Sequence, residues 1–318
     1  WEYTKTYLTI VSFSGTFALI SSCFSNILRA EGQATKAMNG QLIGNILNMA
    51  LDAVFIMAFH WDIAGCALAT LLGEMLGAVY YLHYYLTGKS ALSIHIKDFT
   101  LKDKVAGGVL AIGIPAALGS LLMSASQIIM NSRMAAYGDM AVAGIGVAMK
   151  IVMITGMVSM GIGQGVQPLL GYCTGAKTWE RFKKYMKFAF CFATVLGLSL
   201  TILCYVFTNQ IVGVFLTDTN AFDYAVQFAR ILLSTGPIFG IFYVLTNALQ
   251  AMGAAMPSLM INISRQGLIY IPVLFILNAA LGVTGLVWAQ PIVDVISFVV
   301  GIGMYIQVSR TRMKQADL

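Results

Sequence analysis

The chain has 318 residues, of which 58% are hydrophobic and 10% are charged, and its formal net charge is +6. An ordinary soluble domain has roughly 25% charged residues, so this composition cannot cover a water-facing surface. The basic residues lie in a few loops instead of along one polar face, which argues against a nucleic-acid partner. Long apolar runs between short polar loops are typical of a chain whose solvent is the lipid bilayer.

The apolar runs predict an all-α, polytopic membrane protein with nine spanning helices. In chain order they cover residues 6–28, 37–59, 63–86, 107–136, 141–172, 185–207, 225–250, 257–280 and 283–308. A span needs ~20 residues. The two longest runs exceed that length and contain Pro115 and Pro168, so we expect tilted or kinked helices there.

The basic residues predict the orientation of these spans in the membrane. One set of loops contains Arg29, Lys36, Lys89, Lys97, Lys102, Lys104, Lys177, Arg181, Lys183, Lys184, Lys187, Arg310, Arg312 and Lys314, whereas the opposite set contains Lys5. Because basic loops stay in the cytoplasm, we expect a plasma (inner) membrane protein with a cytoplasmic C-terminus. The five cysteines form no CxxC pair, so no structural metal is expected.

An internal repeat connects the two ends of the chain. The segments Asn26–Gly32 and Asn247–Gly253 share the pattern N-x-L-x-A-x-G, and each ends one span and begins a turn. Two further pairs match at nearly the same offset: Gly65 with Gly285, and Glu74 with Asp294. A chance match of small residues at helix ends is the alternative. A true repeat is typical of transporters built from two related helix bundles.

The repeat also predicts the domain organisation. Residues 1–88 form the second half of a first lobe, 89–106 a cytoplasmic loop between lobes, 107–308 a second lobe of six helices, and 309–318 a cytoplasmic tail. If the lobes are equivalent, three further helices precede Trp1. We therefore expect residues 1–318 alone not to transport, because half of the first lobe lies outside them.

Five segments carry a resemblance to a known family. Arg29–Met38, Asn48–Asp52 and Gly65–Thr70 resemble, in this order, the fourth to sixth helices of multidrug and toxic compound extrusion (MATE) transporters. Gly161–Pro168 and Gly171–Ala176 are similar to the eighth helix and following loop of the MepA-type subgroup. The resemblance covers the whole chain, from the fourth helix to the twelfth. It implies a two-lobe, twelve-helix fold and Na⁺- or H⁺-coupled antiport of amphipathic and cationic compounds by alternating access.

Asp52 is the leading candidate for cation coupling. A carboxylate inside a span costs ~2.5 to 3.5 kcal/mol on insertion scales, so it should face protein or water. Asn48 lies one helical turn earlier and projects from the same face. In MATE proteins the matching Asn and Asp, with a Thr that is Thr70 here, surround a cation or proton site that also uses an Asp of the first helix, outside this chain. The alternative is an Asp that only bonds neighbouring helices.

Two further carboxylates lie within predicted spans. Glu74 follows Thr70 by one turn and extends the same polar face. Asp294 is its counterpart in the second lobe. Either could contribute to coupling or to the substrate cavity, or could form a structural ion pair. The candidate partners for such a pair are Lys150, Arg230 and Arg265.

Further cavity candidates lie on the fourth and fifth spans. Some MATE branches carry acidic coupling residues on the seventh and tenth helices. At those helices this sequence has Gln127, Asn131 and Asn247 but no carboxylate in the core, which argues against a second-lobe site of that kind. Met149, Met153 and Met157 form one helical stripe, and thioethers suit the binding of varied apolar cations. Ordinary helix packing is the alternative for this stripe.

The expected partners are small amphipathic or cationic molecules and the lipid bilayer. We expect a monomer without cofactors, apart from a coupling Na⁺ or H⁺. A related flippase for lipid-linked saccharides is the alternative function, which a cavity lined by Lys150, Arg230 and Arg265 would favour. An intramembrane enzyme is not expected, because HExxH, GxSxG and GxGD motifs are absent.

Overall fold

The computed structural model describes residues 2–87, 105–216 and 219–316. The chain divides into two compact units, Trp1–Lys102 and Asp103–Leu318. The predicted loop over residues 89–106 lies almost entirely outside the described residues, so its role as a boundary between lobes stays a prediction.

The first unit consists of three long helices. These are α1 (Glu2–Ala30), α2 (Ala34–Ala53), which continues into a π-helical segment (Val54–Ala58), and α3 (Asp62–Leu86). Their positions agree with the first three predicted spans. Helix α3 packs against both α1 and α2.

Helices α2 and α3 approach each other closely because glycines form their contact. A Cβ atom on Gly44 would lie 2.8 Å from the Gly73 carbonyl oxygen, and one on Gly73 would lie 2.9 Å from the Asn48 Cβ. Small residues at such crossings let helix backbones approach without clashes. The close contact brings Asn48 beside α3.

The second unit contains the remaining helices. They are α4 (Val105–Ala135), α5 (Asp139–Gly175), α6 (Trp179–Val206), α7 (Thr208–Phe215), α8 (Thr219–Leu233), α9 (Gly236–Ala251), α10 (Ala255–Ile263), a second π-helical segment (Ser264–Leu268) and α11 (Tyr270–Ala316). One apolar core joins α4, α5, α8 and α11, and another joins α5, α6 and α9. Helix α5 belongs to both cores and is therefore central to this unit.

The helices of the second unit are interrupted at two places, one inside a predicted span and one between two predicted spans. The predicted span 225–250 is two helices, α8 and α9, bent by 47°. Pro237 lies in the first turn of α9, where its missing N–H is not needed. Helix α11 breaks at Gly282, with φ 62° and ψ −138°, and this break separates the predicted spans 257–280 and 283–308.

Six of the described helices could cross a membrane by length and composition, or seven if the bent pair counts as one span. The protein is therefore a multi-pass, all-helical membrane protein. One of the six is the segment Met256–Arg312, which covers two predicted spans and includes the break at Gly282. The exact number of nine spans stays a prediction.

The two repeats have the same turn. In the first repeat (α1–α3) Gly32 has φ 79°, and in the second repeat (α8–α11) Gly253 has φ 74°. The residue after each glycine donates its N–H to the carbonyl of Leu28 (2.8 Å) or Leu249 (2.9 Å). This is the Schellman geometry, which favours glycine at the left-handed position.

The packing between the second and third helices differs between the repeats. In the first repeat, the ring of the buried Tyr81 occupies the space where Gly40 lacks a side chain. In the second, the matching positions are Ile261 and Gly301, and a Cβ on Gly301 would lie 3.9 Å from the Ile261 Cδ1. The large and small residues have therefore exchanged helices.

Candidate functional site

The predicted polar residues of α2 and α3 lie together in the first unit. The Asn48 side-chain amide donates a hydrogen bond to Thr70 Oγ1 at 3.3 Å. The Thr70 hydroxyl in turn donates to the Cys66 carbonyl at 3.0 Å, one turn earlier in α3. The amide oxygen of Asn48 takes part in neither of these two hydrogen bonds, so it remains available as an acceptor for a cation or a proton donor.

Asp52 lies one turn beyond Asn48 and is half-buried. Its Oδ1 atom is buried and has no hydrogen-bond partner among the described residues. The Cys66 side chain is its neighbour on α3. A buried carboxylate oxygen without a donor is unfavourable unless a cation or a proton neutralises it. The site therefore has the chemistry of a cation or proton acceptor.

The backbone changes its helical form directly after Asp52. Helix α2 ends at Ala53 and the π-helical segment begins at Val54, whose carbonyl accepts the Phe59 N–H at 3.2 Å. Such π-helical turns are rare and occur often at functional sites. The apolar pattern of this stretch gave no signal for this irregularity.

A cavity of about 330 Å³ opens beside the same residues. Asn48, Thr70 and Glu74 line it, whereas Asp52 does not. The cavity belongs to the first unit alone, since its other lining residues come from α1, α2 and α3. Its polar lining also includes Ser21, Ser22, Gln41, Asn45 and Tyr81.

Sequence reasoning missed Gln41 and Asn45 as members of this polar face. A signal was present, because Gln41, Asn45, Asn48 and Asp52 recur at intervals of one helical turn along α2. A polar stripe of this kind within a span should face protein or water instead of lipid.

Asp294, the predicted counterpart of Glu74, forms a buried ion pair. Its Oδ1 accepts hydrogen bonds from Arg265 Nε at 2.7 Å and from Gln290 Nε2 at 2.8 Å. Its Oδ2 accepts from the Thr235 hydroxyl at 3.3 Å. Arg265 and Asp294 are only 4% and 5% exposed. Both carboxylate oxygens therefore have donors inside the second unit, in contrast to Asp52.

The other cavity candidates lie on exposed faces of α4 and α5. The Gln127 amide approaches the Met149 sulfur at 3.8 Å, and Asn131 is exposed. Met153 and Met157 are 55% and 59% exposed. The fold thus brings Gln127 and Met149 together, while the rest of the methionine stripe remains uncovered within the second unit.

The basic residues of the second unit have separate environments. Lys150 lies over the Phe215 ring at 5.3 Å, and Arg230 over the Tyr205 ring at 5.4 Å. A cavity of about 580 Å³ is lined by Arg230 but not by Lys150 or Arg265. Of the three basic residues that the flippase alternative would need in one cavity, Arg230 alone lines this one.

Comparison with known proteins agrees with this architecture. The chain is 30% identical over 291 residues to the multidrug export protein MepA of Staphylococcus aureus (strain MSSA476), and the match covers 92% of this chain. The chain spans 64% of the length of that relative.

Two solved structures share the fold. One is the outward-facing conformation of a multidrug resistance MATE family transporter, with a TM-score of 0.86, 21% identity and coverage of 98% of this chain and 70% of that one. The other is the inward-facing conformation of such a transporter, with a TM-score of 0.74, 21% identity and coverage of 99% and 72%. The family model MatE matches residues 115–276, about half of the chain. The chain therefore belongs to the MATE family of membrane proteins.

Proposed function

We propose that the protein carrying this chain exports amphipathic and cationic small molecules by cation-coupled antiport, as a monomer in the plasma membrane with its C-terminus in the cytoplasm. The name of the MepA relative, a multidrug export protein, supports export as the function. Alternating access is supported by the two neighbouring folds, whose transporters are outward-facing in one structure and inward-facing in the other.

The observation that supports coupling at α2 is the buried Asp52 Oδ1 without a hydrogen-bond donor. Its carboxylate, with the available oxygens of Asn48 and Thr70, offers hard oxygen ligands to Na⁺. A proton carried by the same carboxylate is the alternative coupling ion. Binding of the ion on one side of the membrane and release on the other would bias the two access states differently.

The test is gradient-driven efflux of a fluorescent cation from vesicles that hold the full-length transporter, under separate Na⁺ and H⁺ gradients. Asp52→Asn removes the charge with little change in shape, and we expect it to abolish the gradient-driven component. The gradient that drives the wild-type protein identifies the coupling ion. Undiminished export by Asp52→Asn would refute the assignment.

Asp62→Asn is the matched control in the same unit. Asp62 is exposed at the start of α3 and has φ 43°, a conformation that asparagine also adopts readily. The substitution Asp62→Asn removes one carboxylate and leaves the Asn48–Thr70 pair intact, so we expect this variant to export as well as the wild-type protein.

A further inference from the structure

The cavity of about 580 Å³ in the second unit lies at the end of the unit where α8 begins. Its polar lining comes from three helices, with Asn209 on α7, Thr284 on α11, and Asp223, Gln227 and Arg230 on α8. None of the candidate coupling residues lines it. The cavity is therefore separate from the polar site of α2 and α3.

Two opposite charges line this cavity without pairing to each other. Asp223 and Arg230 are seven residues apart on α8, which places them on one face, about 10 Å apart along the helix axis. Neither forms an ion pair with any residue that the structure describes. The Arg230 guanidinium instead lies 5.4 Å from the centre of the Tyr205 ring, and Gln227 lies between the two charges. A ligand that carries both a negative and a positive group can satisfy both side chains at once.

The cavity lies at the boundary between lipid and water. Helix α6 ends and the span that contains α8 begins at this end of the unit. Trp288 lines the cavity and is 37% exposed, and tryptophan is enriched at such boundaries. The apolar part of the lining consists of Phe222, Val226 and Ile231. Asp223 lies two helical turns nearer to the start of α8 than Arg230, so the negative charge is the one closer to water.

The first repeat lacks the two residues that distinguish this cavity. At the offsets of the repeat described above, Arg230 corresponds to Thr9 and Trp288 corresponds to Leu68. The Thr9 hydroxyl donates to the carbonyl of Lys5, within its own helix. The repeat can therefore fold without an arginine or a tryptophan at these positions, so packing within the repeat does not require them.

We propose that this cavity binds the head group of a zwitterionic phospholipid whose outer group is a primary ammonium, as in phosphatidylethanolamine. The phosphate of such a lipid lies next to the glycerol, deeper in the membrane, where it can accept two parallel hydrogen bonds from Arg230. The ammonium lies further out and can donate to the Asp223 carboxylate. The side chains of Asn209, Gln227 and Thr284 can donate to the remaining phosphate oxygens. The inference goes beyond the proposed function, since this lipid is neither the exported compound nor the coupling ion.

The arrangement of charges distinguishes this lipid from other ligands that carry a phosphate. A head group without a cation would be repelled by Asp223, and a quaternary ammonium has no N–H group to donate to that carboxylate. A free zwitterion in solution would leave the apolar lining unused, whereas the acyl chains of a lipid can cover it. Phosphatidylethanolamine should therefore bind more tightly than phosphatidylglycerol, phosphatidylcholine or a soluble head group.

The experiment measures lipid binding to the full-length transporter in detergent by native mass spectrometry, with no ion gradient and no exported compound. Phosphatidylethanolamine, phosphatidylcholine and phosphatidylglycerol are compared with identical acyl chains. We expect phosphatidylethanolamine to bind about tenfold or more tightly than the other two, and Arg230→Gln to weaken its binding by a similar factor. Arg133→Gln is the matched control, because Arg133 is also exposed and lies 4.7 Å from the centre of the Phe275 ring, and it should bind as the wild type does.

A second variant separates the role of the carboxylate from that of the arginine. Asp223→Asn should lose the preference for phosphatidylethanolamine over phosphatidylcholine and should bind phosphatidylglycerol more tightly than the wild type does, because the negative head group is no longer repelled. Weaker binding of all three lipids by Asp223→Asn would contradict the assignment of the ammonium to this residue.

Three other results would also overturn the proposal. They are equal binding of the three lipids by the wild type, wild-type binding by Arg230→Gln, and displacement of phosphatidylethanolamine by its soluble head group, glycerophosphoethanolamine. Because no gradient is applied, a failure of coupled export at Asp52 leaves this readout unaffected, and the two failures can be distinguished.

Discussion

Removing one partner of the Arg265–Asp294 pair should destabilise the second unit more than removing both. Each residue is about 95% buried, and the carboxylate accepts three hydrogen bonds, at 2.7, 2.8 and 3.3 Å. Arg265→Met leaves the carboxylate without its cation, and breaking a buried pair in this way costs roughly 3 to 5 kcal/mol. For a unit of this size that loss corresponds to a fall in melting temperature of roughly 6 to 20 °C.

The assay is thermal unfolding of purified protein in detergent, comparing Arg265→Met, Asp294→Leu and the double variant. Replacing both charges by apolar groups removes the unpaired charge, so the double variant should be more stable than either single one. The exposed pair of Lys183 and Glu180, 3.5 Å apart, is the control, and its loss should cost less than about 1 kcal/mol. Single variants that melt with the wild type, or a double variant no better than the singles, would refute the reasoning.

Two further substitutions test the first unit. Gly44→Ala places a Cβ 2.8 Å from the Gly73 carbonyl oxygen, so it should separate α2 from α3 at a cost of about 1 to 3 kcal/mol in thermal unfolding. The control is Gly15→Ala in α1, whose Cβ meets no described neighbour; it should not lower the melting temperature and should raise it slightly, because alanine favours a helix more than glycine does. Thr70→Val removes the acceptor of the 3.3 Å hydrogen bond from Asn48, so coupled export should fall about two- to tenfold. Thr70→Ser keeps the hydroxyl and should restore export. Equal export by Thr70→Val and Thr70→Ser would contradict a role for the hydroxyl.

The apolar pattern predicted most of the helices but not their interruptions. A hydropathy run records where lipid-compatible residues occur, and the helices α1, α2, α3, α5 and α6 follow the predicted runs closely. The bend between α8 and α9 and the π-helical segment after Asp52 depend on backbone hydrogen bonds between particular turns. The π-helical turn leaves no mark on apolar periodicity, whereas the bend falls at Ser234, Gly236 and Pro237, which a hydropathy run does not record as a break.

The candidate site, too, could be predicted from the sequence only in part. One-turn spacing predicted that Asn48 and Asp52 share one face of α2, and the family resemblance supplied Thr70, which accepts a hydrogen bond from Asn48. The sequence could not distinguish the environments of Glu74 and Asp294, because each lies in the middle of a span at the same repeat position. The difference depends on a residue of a different helix, which is Arg265 beside Asp294 and, at the matching position of α2, Gly44. Only a three-dimensional arrangement reveals which side chain fills the space.

The large side chain of the pair comes from the third helix in the first repeat (Tyr81 against Gly40) and from the second helix in the second repeat (Ile261 against Gly301). Whether a substitution is tolerated at one of these positions therefore depends on the residue that it faces. A tyrosine at position 301 would compete with Ile261 for one volume, and an isoleucine at position 40 would compete with Tyr81. In the first repeat the Tyr81 ring leaves no room for a side chain at position 40, so the two residues can be exchanged there only together. Substitution data gathered on one half therefore cannot be transferred position by position to the other, because volume is conserved between two helices and not at any single site.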